Sequence, residues 1–340
     1  MSIENLSRKV VMITGASAGI GRAAARAFAM RGARIGLVAR DRGRLESAKA
    51  EVEELGGEAV VYVADVADEN AVEAAAQHLE AAFGPIDVWV NNAMATVFSP
   101  IAEMQPEEFR RVTEVTYLGY VWGTLAALRR MRPRNRGTII QVGSALAYRG
   151  IPLQSAYCAS KFAMRGFCDS LRAELIHDKM NIRICIVEMP AVNTPQFAWV
   201  KSRLPRKAQP VPPIFQPEVA ADAIVFAATH NRREIYVGFP TVKAVVANKV
   251  APSLLDQYLG RTCFESQQTE EPEDPHRPNN LFEPFPGDFG AHGTFDEKAR
   301  DFSLQLWLDK HRNLLRGAGI AAAVVGGLLA FNYARRRQRT

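Results

Sequence analysis

The sequence predicts an α/β protein with a doubly wound parallel sheet, followed by a helical extension at its C-terminus. Short apolar runs typical of buried strands alternate with helical patterns from about residue 9 to residue 238. A glycine-rich turn follows the first strand, and polar residues directly follow several others. Such alternation indicates a parallel sheet, which binds its ligands at the carboxyl ends of the strands.

The first strand, residues 9–14, leads into a turn rich in glycine, after which an alanine-rich helix extends to Met30. Glycines allow the backbone to approach a ligand closely, and the N–H groups and dipole of a helix N-terminus favour an anion. The turn is therefore a candidate phosphate-binding site, formed by Gly15, Ser17, Gly19, Ile20 and Gly21. Its G-x-x-x-G-x-G spacing differs from the general G-x-G-x-x-G dinucleotide fingerprint, and an ordinary tight βα turn is the alternative.

The second strand, residues 34–38, indicates which dinucleotide would bind. Ala39 and Arg40 follow it, at about the position where an acidic residue would bind the ribose hydroxyls of NAD. An arginine is suited to a 2′-phosphate instead. Arg40 therefore favours NADP(H), while a solvated charge cluster at the start of the next helix is the alternative interpretation.

The later elements continue the same alternation. Strands are predicted at residues 59–64, 87–90, 138–142, 182–187 and 234–238, and helices at residues 45–55, up to 83, 106–131, around 157 and 217–229. The residues that follow the strand ends are Asp65 and Val66, then Asn91, Asn92 and Ala93, then Ser144, and then the segment from Pro190 to Thr194. Residues 195–217 are rich in proline and basic groups, which is consistent with a lid over a substrate.

Tyr157 and Lys161 stand four residues apart, so on a helix they share one face. A phenol has an unperturbed pKa of about 10. A nearby ammonium would lower the pKa of Tyr157 towards the range that is useful for proton transfer. Ser144 follows a predicted strand, where its hydroxyl could hold a substrate oxygen beside Tyr157. Each residue alone is equally compatible with simple packing, so the prediction depends on the combination.

Taken together, these motifs resemble the short-chain dehydrogenase/reductase family in its main, single-domain form, over about residues 8–240. The match covers the glycine turn, Asp65, the Asn91–Ala93 motif, Ser144, Tyr157, Lys161 and the segment 190–194, in order and at the right spacings. The resemblance implies a Rossmann-like NADP(H)-binding domain at residues 1–245. It also implies hydride transfer between the cofactor and an alcohol or ketone.

The resemblance assigns a role to each matching residue. Tyr157 would be the acid/base, Lys161 would bind the nicotinamide ribose and lower the pKa of Tyr157, and Ser144 would polarise the reacting oxygen. Asp65 would lie against the adenine and Thr194 near the nicotinamide carboxamide. The remaining implied cofactor contacts are Val66, Asn91, Ala93 and Pro190.

Three positions depart from the family pattern. Thr116 occupies the place of an asparagine that helps to hold a water in the proton relay, although a threonine hydroxyl can still form a hydrogen bond. Met94 and Ala191 each replace a glycine. Ser144, Tyr157 and Lys161 are intact, so we expect activity. The alternative is a cofactor-binding scaffold or redox sensor with little or no catalysis.

The charge distribution argues against a nucleic-acid partner. Seven of the 42 Lys and Arg residues lie in residues 310–340, which contain no Asp or Glu, so residues 1–309 hold 35 basic against 36 acidic residues. A basic nucleic-acid-binding body is not expected on that balance. The four cysteines and six histidines show no metal-ligand spacing, so we expect no metal and a reducing compartment. A strand begins within ten residues of the N-terminus, so we expect no signal peptide.

The C-terminal hundred residues lie beyond the resemblance. Residues 246–293 predict an extended linker or surface wrap, residues 294–316 an amphipathic helix, and residues 334–340 a basic tail. Residues 317–333 carry no charge, and as a helix they would measure about 25 Å, against a hydrocarbon core of about 30 Å. We therefore expect a membrane-inserted helix that is either transmembrane or shallow. A soluble enzyme with an assembly tail is the alternative.

These features define the expected partners and location. The protein is expected to be membrane-associated, with its catalytic domain facing the cytoplasmic dinucleotide pool, and to form a homo-oligomer. A lipophilic small-molecule substrate is expected from the membrane tether and from an apolar lid containing Phe197, Trp199, Ile214 and Phe215.

Overall fold

The computed structural model describes residues 6–312 and contains a seven-stranded parallel sheet. Its strands are β1 Val10–Thr14, β2 Arg34–Ala39, β3 Glu58–Val63, β4 Val88–Asn91, β5 Gly137–Val142, β6 Ile182–Glu188 and β7 Glu234–Tyr236. They lie in the order β7-β6-β5-β4-β1-β2-β3, with every neighbouring pair parallel. The order reverses between β1 and β4, and the loops after these strands diverge there to open a crevice.

Helices connect the strands. They are α1 Gly19–Ala29, α2 Arg42–Glu54, α3 Glu69–Phe83, α4 Pro106–Thr113, α5 Gly119–Met131, α6 Ser155–His177, α7 Gln196–Trp199, α8 Pro217–Thr229, α9 Gly238–Val250, α10 Pro252–Ser266 and α11 Leu304–Lys310. The chain divides into two compact units between Ser303 and Leu304, and α11 is the helix described in the second unit. The first unit contains the sheet.

The strands form where the sequence is apolar enough for burial on both faces. All five residues of β1 and all four of β4 are buried, and Trp89 and Phe28 are completely inaccessible. A sheet covered by helices on both faces has such near-continuous apolar strands. The predicted Rossmann-like parallel sheet is therefore confirmed, and its carboxyl edge is where a ligand is expected.

The long helix predicted at residues 106–131 is interrupted. Residues Glu114–Leu118 form one π-helical turn between α4 and α5. Such turns insert one extra residue and are frequent at functional sites. Thr116 lies on this turn, which directs its side chain towards the loop after β4.

The C-terminal region differs from the sequence-based expectation. Residues 252–266 form α10 where an extended linker was expected, and Gln268–Pro272 pairs antiparallel with Arg206–Ala208 of the lid. Cys263 is the one buried residue of α10, so this helix has little apolar periodicity that the sequence could reveal. Beyond α10, residues 280, 281, 284 and 285 reach a cavity at the carboxyl edge of the sheet.

The predicted amphipathic helix at residues 294–316 is wrong for its first part. Asp296–Lys298 is a 3₁₀ turn, and Ala299–Arg300 pairs with Ile214–Phe215 as a short strand. The pairing of Ala299–Arg300 with this lid strand holds the segment extended, although the spacing of its apolar residues favours a helix. Residues 317–333 and the basic tail at 334–340 lie outside the described residues. Among residues 6–312, no helix combines the length and apolarity needed to cross a bilayer.

Candidate active site

A cavity of about 450 Å³ lies along the carboxyl ends of the central strands. The expected site residues that line it are Gly15, Ser17, Gly19, Ile20, Arg40, Asp65, Val66, Ala93, Ser144, Tyr157, Lys161, Pro190 and Thr194. Gly21, Asn91 and Thr116 are not among its lining residues. Tertiary structure thus brings together residues that are separated by up to about 180 positions in the sequence.

The glycine turn after β1 requires its glycines. Gly15 and Gly19 have φ of +66° and +56°, in the left-handed region that other residues rarely adopt. A Cβ added at Gly15 would lie 2.7 Å from the Cα of Ala93, and one added at Gly21 would lie 2.1 Å from the carbonyl oxygen of Gly15. The turn is therefore tightly packed, and Gly21 serves that packing without lining the cavity.

Asn91, the last residue of β4, stabilises the framework around the site. Its side chain is buried, accepts a hydrogen bond from Trp89 Nε1 at 2.8 Å, and donates to Gln141 Oε1 at 3.0 Å and Thr124 Oγ1 at 3.2 Å. These bonds join β4 to β5 and α5. The side chain of Asn91 therefore joins these elements of the framework, and its predicted role as a cofactor contact stays a prediction.

The hydroxyl of Thr116 forms two hydrogen bonds with the backbone of Ala95. Its hydroxyl donates to the carbonyl oxygen of Ala95 at 2.8 Å and accepts from the Ala95 N–H at 2.9 Å. A hydroxyl has one hydrogen to donate, and Ala95 receives it. Thr116 therefore fixes the loop after β4, and its predicted part in a proton relay stays a prediction.

Ser144 and Tyr157 form the reacting edge of the cavity. Ser144 follows β5 and accepts a hydrogen bond from the Leu146 N–H at 3.2 Å, which begins the turn Ala145–Ala147. Tyr157 lies in the first turn of α6 and forms a hydrogen bond with Ser144. The two hydroxyl groups are thus close enough to bind a single substrate oxygen.

Lys161 lies one helical turn after Tyr157 and is 1% exposed. Its Nζ donates to the carbonyl oxygen of Val142 at 2.7 Å and to the hydroxyl of Tyr120 at 3.0 Å, and it lies 5.5 Å from the ring centroid of Tyr157. The ammonium is therefore held between β5 and α5. It stands beside the ring of Tyr157 and is not bonded to the phenol oxygen.

Burial is the main cause of the pKa shifts of Tyr157 and Lys161 at this edge of the cavity. Burial raises the pKa of Tyr157 above its usual value, and the hydrogen bond with Ser144 opposes that shift only in part. Burial lowers the pKa of Lys161 to about 7, against the opposing influence of Glu188. In this structure burial outweighs any lowering of the Tyr157 pKa by Lys161, because the ammonium is directed to Tyr120 and Val142.

Sequence reasoning missed two buried residues near Lys161. Tyr120 is 1% exposed, and its hydroxyl donates to the carbonyl oxygen of Val142 at 3.0 Å while accepting from Lys161. Tyr120 follows Thr116 by four residues, a helical spacing that could have suggested it.

Glu188, at the end of β6, is the second missed residue. It is fully buried, and neither carboxyl oxygen has a hydrogen-bond partner among the described residues. A Cβ added at Gly143 would lie 2.3 Å from Glu188 Oε2, which places the carboxyl against the residue before Ser144. Burial, followed by repulsion from Glu234, raises the pKa of Glu188 to about 8. An apolar strand ending in one acidic residue gave no reason to expect burial.

The end of the cavity that contains Asp65, where the resemblance predicts the adenine, is lined by charged groups. Asp65 accepts a hydrogen bond from the Ala67 N–H at 3.0 Å and forms an ion pair with Arg111. Burial alone would raise the pKa of Asp65, but Arg111 and the Ala67 N–H lower it below its usual value. Arg40 lies at the same end of the cavity, where it bonds backbone carbonyl groups of residues 280 and 282.

The opposite side of the cavity is apolar. Residues from the lid and from neighbouring loops line it, namely Met94, Phe98, Leu146, Ile151, Phe197, Trp199, Val200, Val211 and Leu259. The lid residues Ile214 and Phe215, also expected here, are buried in a short strand pairing and do not line the cavity.

The lid is anchored by Glu108, which binds Arg203 at 2.8 Å and Lys201 at 2.5 Å.

The known proteins that this chain resembles are consistent with the site described above. The family model described as short chain dehydrogenase matches residues 9–204. The chain is 31% identical over 338 residues to an uncharacterized oxidoreductase, YxnA, of Bacillus subtilis (99% of this chain and 93% of that protein). It is 36% identical over 234 residues to a fatty acyl-CoA reductase of Acinetobacter baylyi (68% of this chain and 77% of that protein).

A solved structure supports the same assignment. The chain resembles a metagenomic short-chain oxidoreductase crystallised in complex with NADP, with a TM-score of 0.57 and 30% identity, covering 69% of this chain and 97% of the other. Taken with the family match and the positions of Ser144, Tyr157 and Lys161, this likeness leads to one conclusion: the chain is an oxidoreductase of the short-chain dehydrogenase family.

Proposed function

We propose that the protein transfers hydride between NADP(H) and an apolar alcohol or carbonyl compound. The observation that carries this proposal is the position of Ser144, Tyr157 and Lys161 on one edge of a cavity whose other end is the glycine turn after β1. A crevice with a phosphate-binding turn at one end and a proton donor at the other is the arrangement that dinucleotide-dependent hydride transfer requires.

The residues present fit the cofactor. The left-handed glycines at 15 and 19 allow the backbone to approach a pyrophosphate, and a side chain at Gly15 would fill the space beside Ala93. Arg40 provides a guanidinium at the adenosine end, which favours the 2′-phosphate of NADP(H). The metagenomic relative solved in complex with NADP supports this choice. When bound, the nicotinamide supplies or accepts the hydride.

The chain's own residues handle the proton. In the reduction direction, Tyr157 donates its hydroxyl proton to the substrate oxygen, while Ser144 donates a hydrogen bond to the same atom. The buried ammonium of Lys161, beside the Tyr157 ring, stabilises the negative charge that develops on the phenol oxygen. In the oxidation direction, the deprotonated hydroxyl of Tyr157 accepts the proton from the alcohol, while Ser144 and Lys161 keep the same positions.

The substrate is proposed to be lipophilic because the substrate side of the cavity is lined mainly by apolar side chains. The resemblance to a fatty acyl-CoA reductase supports this proposal. Burying one more methylene contributes about 0.8 kcal/mol, so kcat/KM should rise about threefold to fourfold per methylene along a series of aliphatic aldehydes until the cavity is full. A flat dependence on chain length would contradict an apolar pocket.

Tyr157→Phe tests the catalytic assignment. The ring is retained, so NADPH should bind with nearly unchanged affinity by fluorescence titration. Turnover, followed by NADPH absorbance, should fall about 10²–10⁴-fold, since a general acid–base group contributes that much. A variant that keeps more than about a tenth of the wild-type kcat contradicts the assignment. Wild-type protein that binds NADPH but reduces no carbonyl compound would favour the scaffold alternative.

We further propose membrane association through residues 317–333, with the catalytic domain on the cytoplasmic side. The support is the uncharged sequence of that segment and the basic residues that flank it. The intact protein should pellet with membranes and resist extraction by high salt, because apolar burial is not screened by ions. A chain ending at Asp309 should stay in the supernatant and retain NADPH binding. Release of the intact chain by salt alone would contradict apolar insertion.

A further inference from the structure

Residues 280–290, here called the strap, form part of the cavity wall although they lie far beyond the family match, which ends at residue 204. Asn280, Leu281, Pro284 and Phe285 line the cavity, and Leu281 is 1% exposed. The strap therefore does not merely lie on the surface. It supplies an outer wall to the end of the cavity where Arg40 and Asp65 lie.

Two arginines at that end bind carbonyl oxygens of the strap. Arg40 donates to Asn280 O at 2.6 Å and to Phe282 O at 2.7 Å, and Arg111 Nε donates to Leu281 O at 3.0 Å. A guanidinium has five N–H donors, so Arg40 can bind these carbonyl groups and still present N–H groups to a phosphate. The strap thereby fixes the direction of the arginine that is proposed to recognise NADP(H).

A third arginine holds the middle of the strap. Arg44 donates to Gly287 O at 2.5 Å and also binds Phe285 O. Its guanidinium carbon lies 4.9 Å from the ring centroid of Trp199 and 5.1 Å from that of Phe289. Trp199 belongs to the lid, so Arg44 links the strap to the lid as well as to α2.

The far end of the strap reaches the phosphate-binding turn. Arg22 of α1 binds Asp288 at 2.5 Å, and the Ser47 hydroxyl donates to the same carboxylate at 2.7 Å. The N–H of Gly19, at the start of α1, donates to Gly290 O at 3.1 Å. The strap therefore runs from the adenosine end of the cavity to the helix N-terminus that is proposed to bind the pyrophosphate.

We propose that the strap closes over the adenosine and pyrophosphate groups of bound NADP(H), so that the cofactor enters and leaves only after the strap is released. This inference rests on the proposed cofactor site. The link between Asp288 and Arg22 is an ion pair in which a side chain of the strap binds the domain directly. Hydrogen bonds between charged groups are stronger than neutral ones. Breaking the ion pair between Asp288 and Arg22 should therefore limit the rate at which the strap opens.

Asp288→Asn and Asp288→Lys test this inference. Asparagine removes the charge, and lysine repels Arg22, so the NADPH dissociation rate measured by stopped-flow fluorescence should rise about tenfold in the first variant and more in the second. The association rate should rise as well, because the free site would be open more often. Glu73→Gln is the matched control, since Glu73 likewise forms ion pairs with arginines, here Arg129 and Arg130, but joins α3 to α5. Its NADPH kinetics should equal those of the wild type.

Hydrogen exchange provides a second readout. NADPH should slow exchange of the amides in residues 280–290 of the wild type, and this protection should be reduced in Asp288→Lys. Unchanged dissociation rates in both Asp288 variants, with NADPH still binding to the wild type, would overturn the strap inference and leave the proposed function intact. Failure of the wild type to bind NADPH at all would instead overturn the proposed function, and the strap inference with it.

Discussion

The catalytic edge and the strap border the same cavity, but different forces hold them. Ser144, Tyr157 and Lys161 are placed by β5 and α6, with short-range bonds in a buried environment that shifts their pKa values. The strap has no regular secondary structure, and arginines of the domain hold it mainly through its backbone carbonyl groups. This comparison suggests that the catalytic edge is rigid and tuned by burial, whereas the strap is held by charge and can open.

Lys161→Ala should give the largest effect. The change removes the buried cation beside Tyr157 and leaves the hydroxyl of Tyr120 without its donor, while the carbonyl oxygen of Val142 keeps its hydrogen bond from Tyr120. We expect kcat to fall at least about a hundredfold and NADPH affinity to weaken as well, measured by steady-state kinetics and titration. Tyr120→Phe, which keeps Lys161 and removes one of its acceptors, should cost less. Equal losses in the two variants would show that Tyr120 is as important as the cation.

Arg40→Asp should give the next largest effect, and it probes the point where strap and cofactor meet. NADPH affinity should fall roughly ten- to a hundredfold, because a charge-assisted contact contributes about 1.5–3 kcal/mol, while NADH affinity should change much less. Arg42→Asp is a suitable control, because the side chain of Arg42 is exposed and forms its ion pair with Glu46. Tight NADH binding by the wild type would contradict the assigned role of Arg40.

Glu188→Gln tests whether burial dominates beneath the catalytic edge. Because the folded-state pKa of Glu188 is raised to about 8, the folded protein keeps a proton that the unfolded chain releases above its lower pKa. Its contribution to the free energy of unfolding is therefore complete below the unfolded pKa and declines as pH rises, with a slope of up to about 1.4 kcal/mol per pH unit. Urea unfolding between pH 5 and 7 should show this decline in the wild type and much less of it in the variant. Parallel curves would mean that Glu188 is ionised in the folded protein.

Replacing His292, which follows the strap in the sequence, should give the smallest effect. Burial alone would lower its pKa, but hydrogen bonds with Asp296 and Glu218 raise it above the usual value. The stabilisation is thus fully present below the unfolded pKa and is lost as pH rises through the folded one. The side chain is 39% exposed, so screening reduces the effect to a few tenths of a kcal/mol. His292→Gln should remove the corresponding fall in melting temperature between pH 6 and 8; an unchanged fall would assign it to other groups.

The elements that sequence reasoning located correctly are those whose pattern is local. The strands from β1 to β7 were predicted to within about two residues because strands buried on both faces are continuous apolar runs. The glycine turn could be recognised because left-handed backbone at Gly15 and Gly19 requires glycine. Tyr157 and Lys161 lie on one helix, so their spacing alone placed them on the same face.

Only the tertiary structure shows the features that depend on contacts between residues distant in the sequence. Nothing in the sequence near Thr116 shows that its hydroxyl bonds Ala95, and an acidic residue at the end of β6 gives no sign of its burial. The contact between Arg40 and the strap joins residues 242 positions apart, and its acceptors are backbone carbonyl groups, which every residue carries. Because such acceptors leave no signature in side-chain chemistry, only the folded chain could show that a segment beyond the family domain covers the cofactor site.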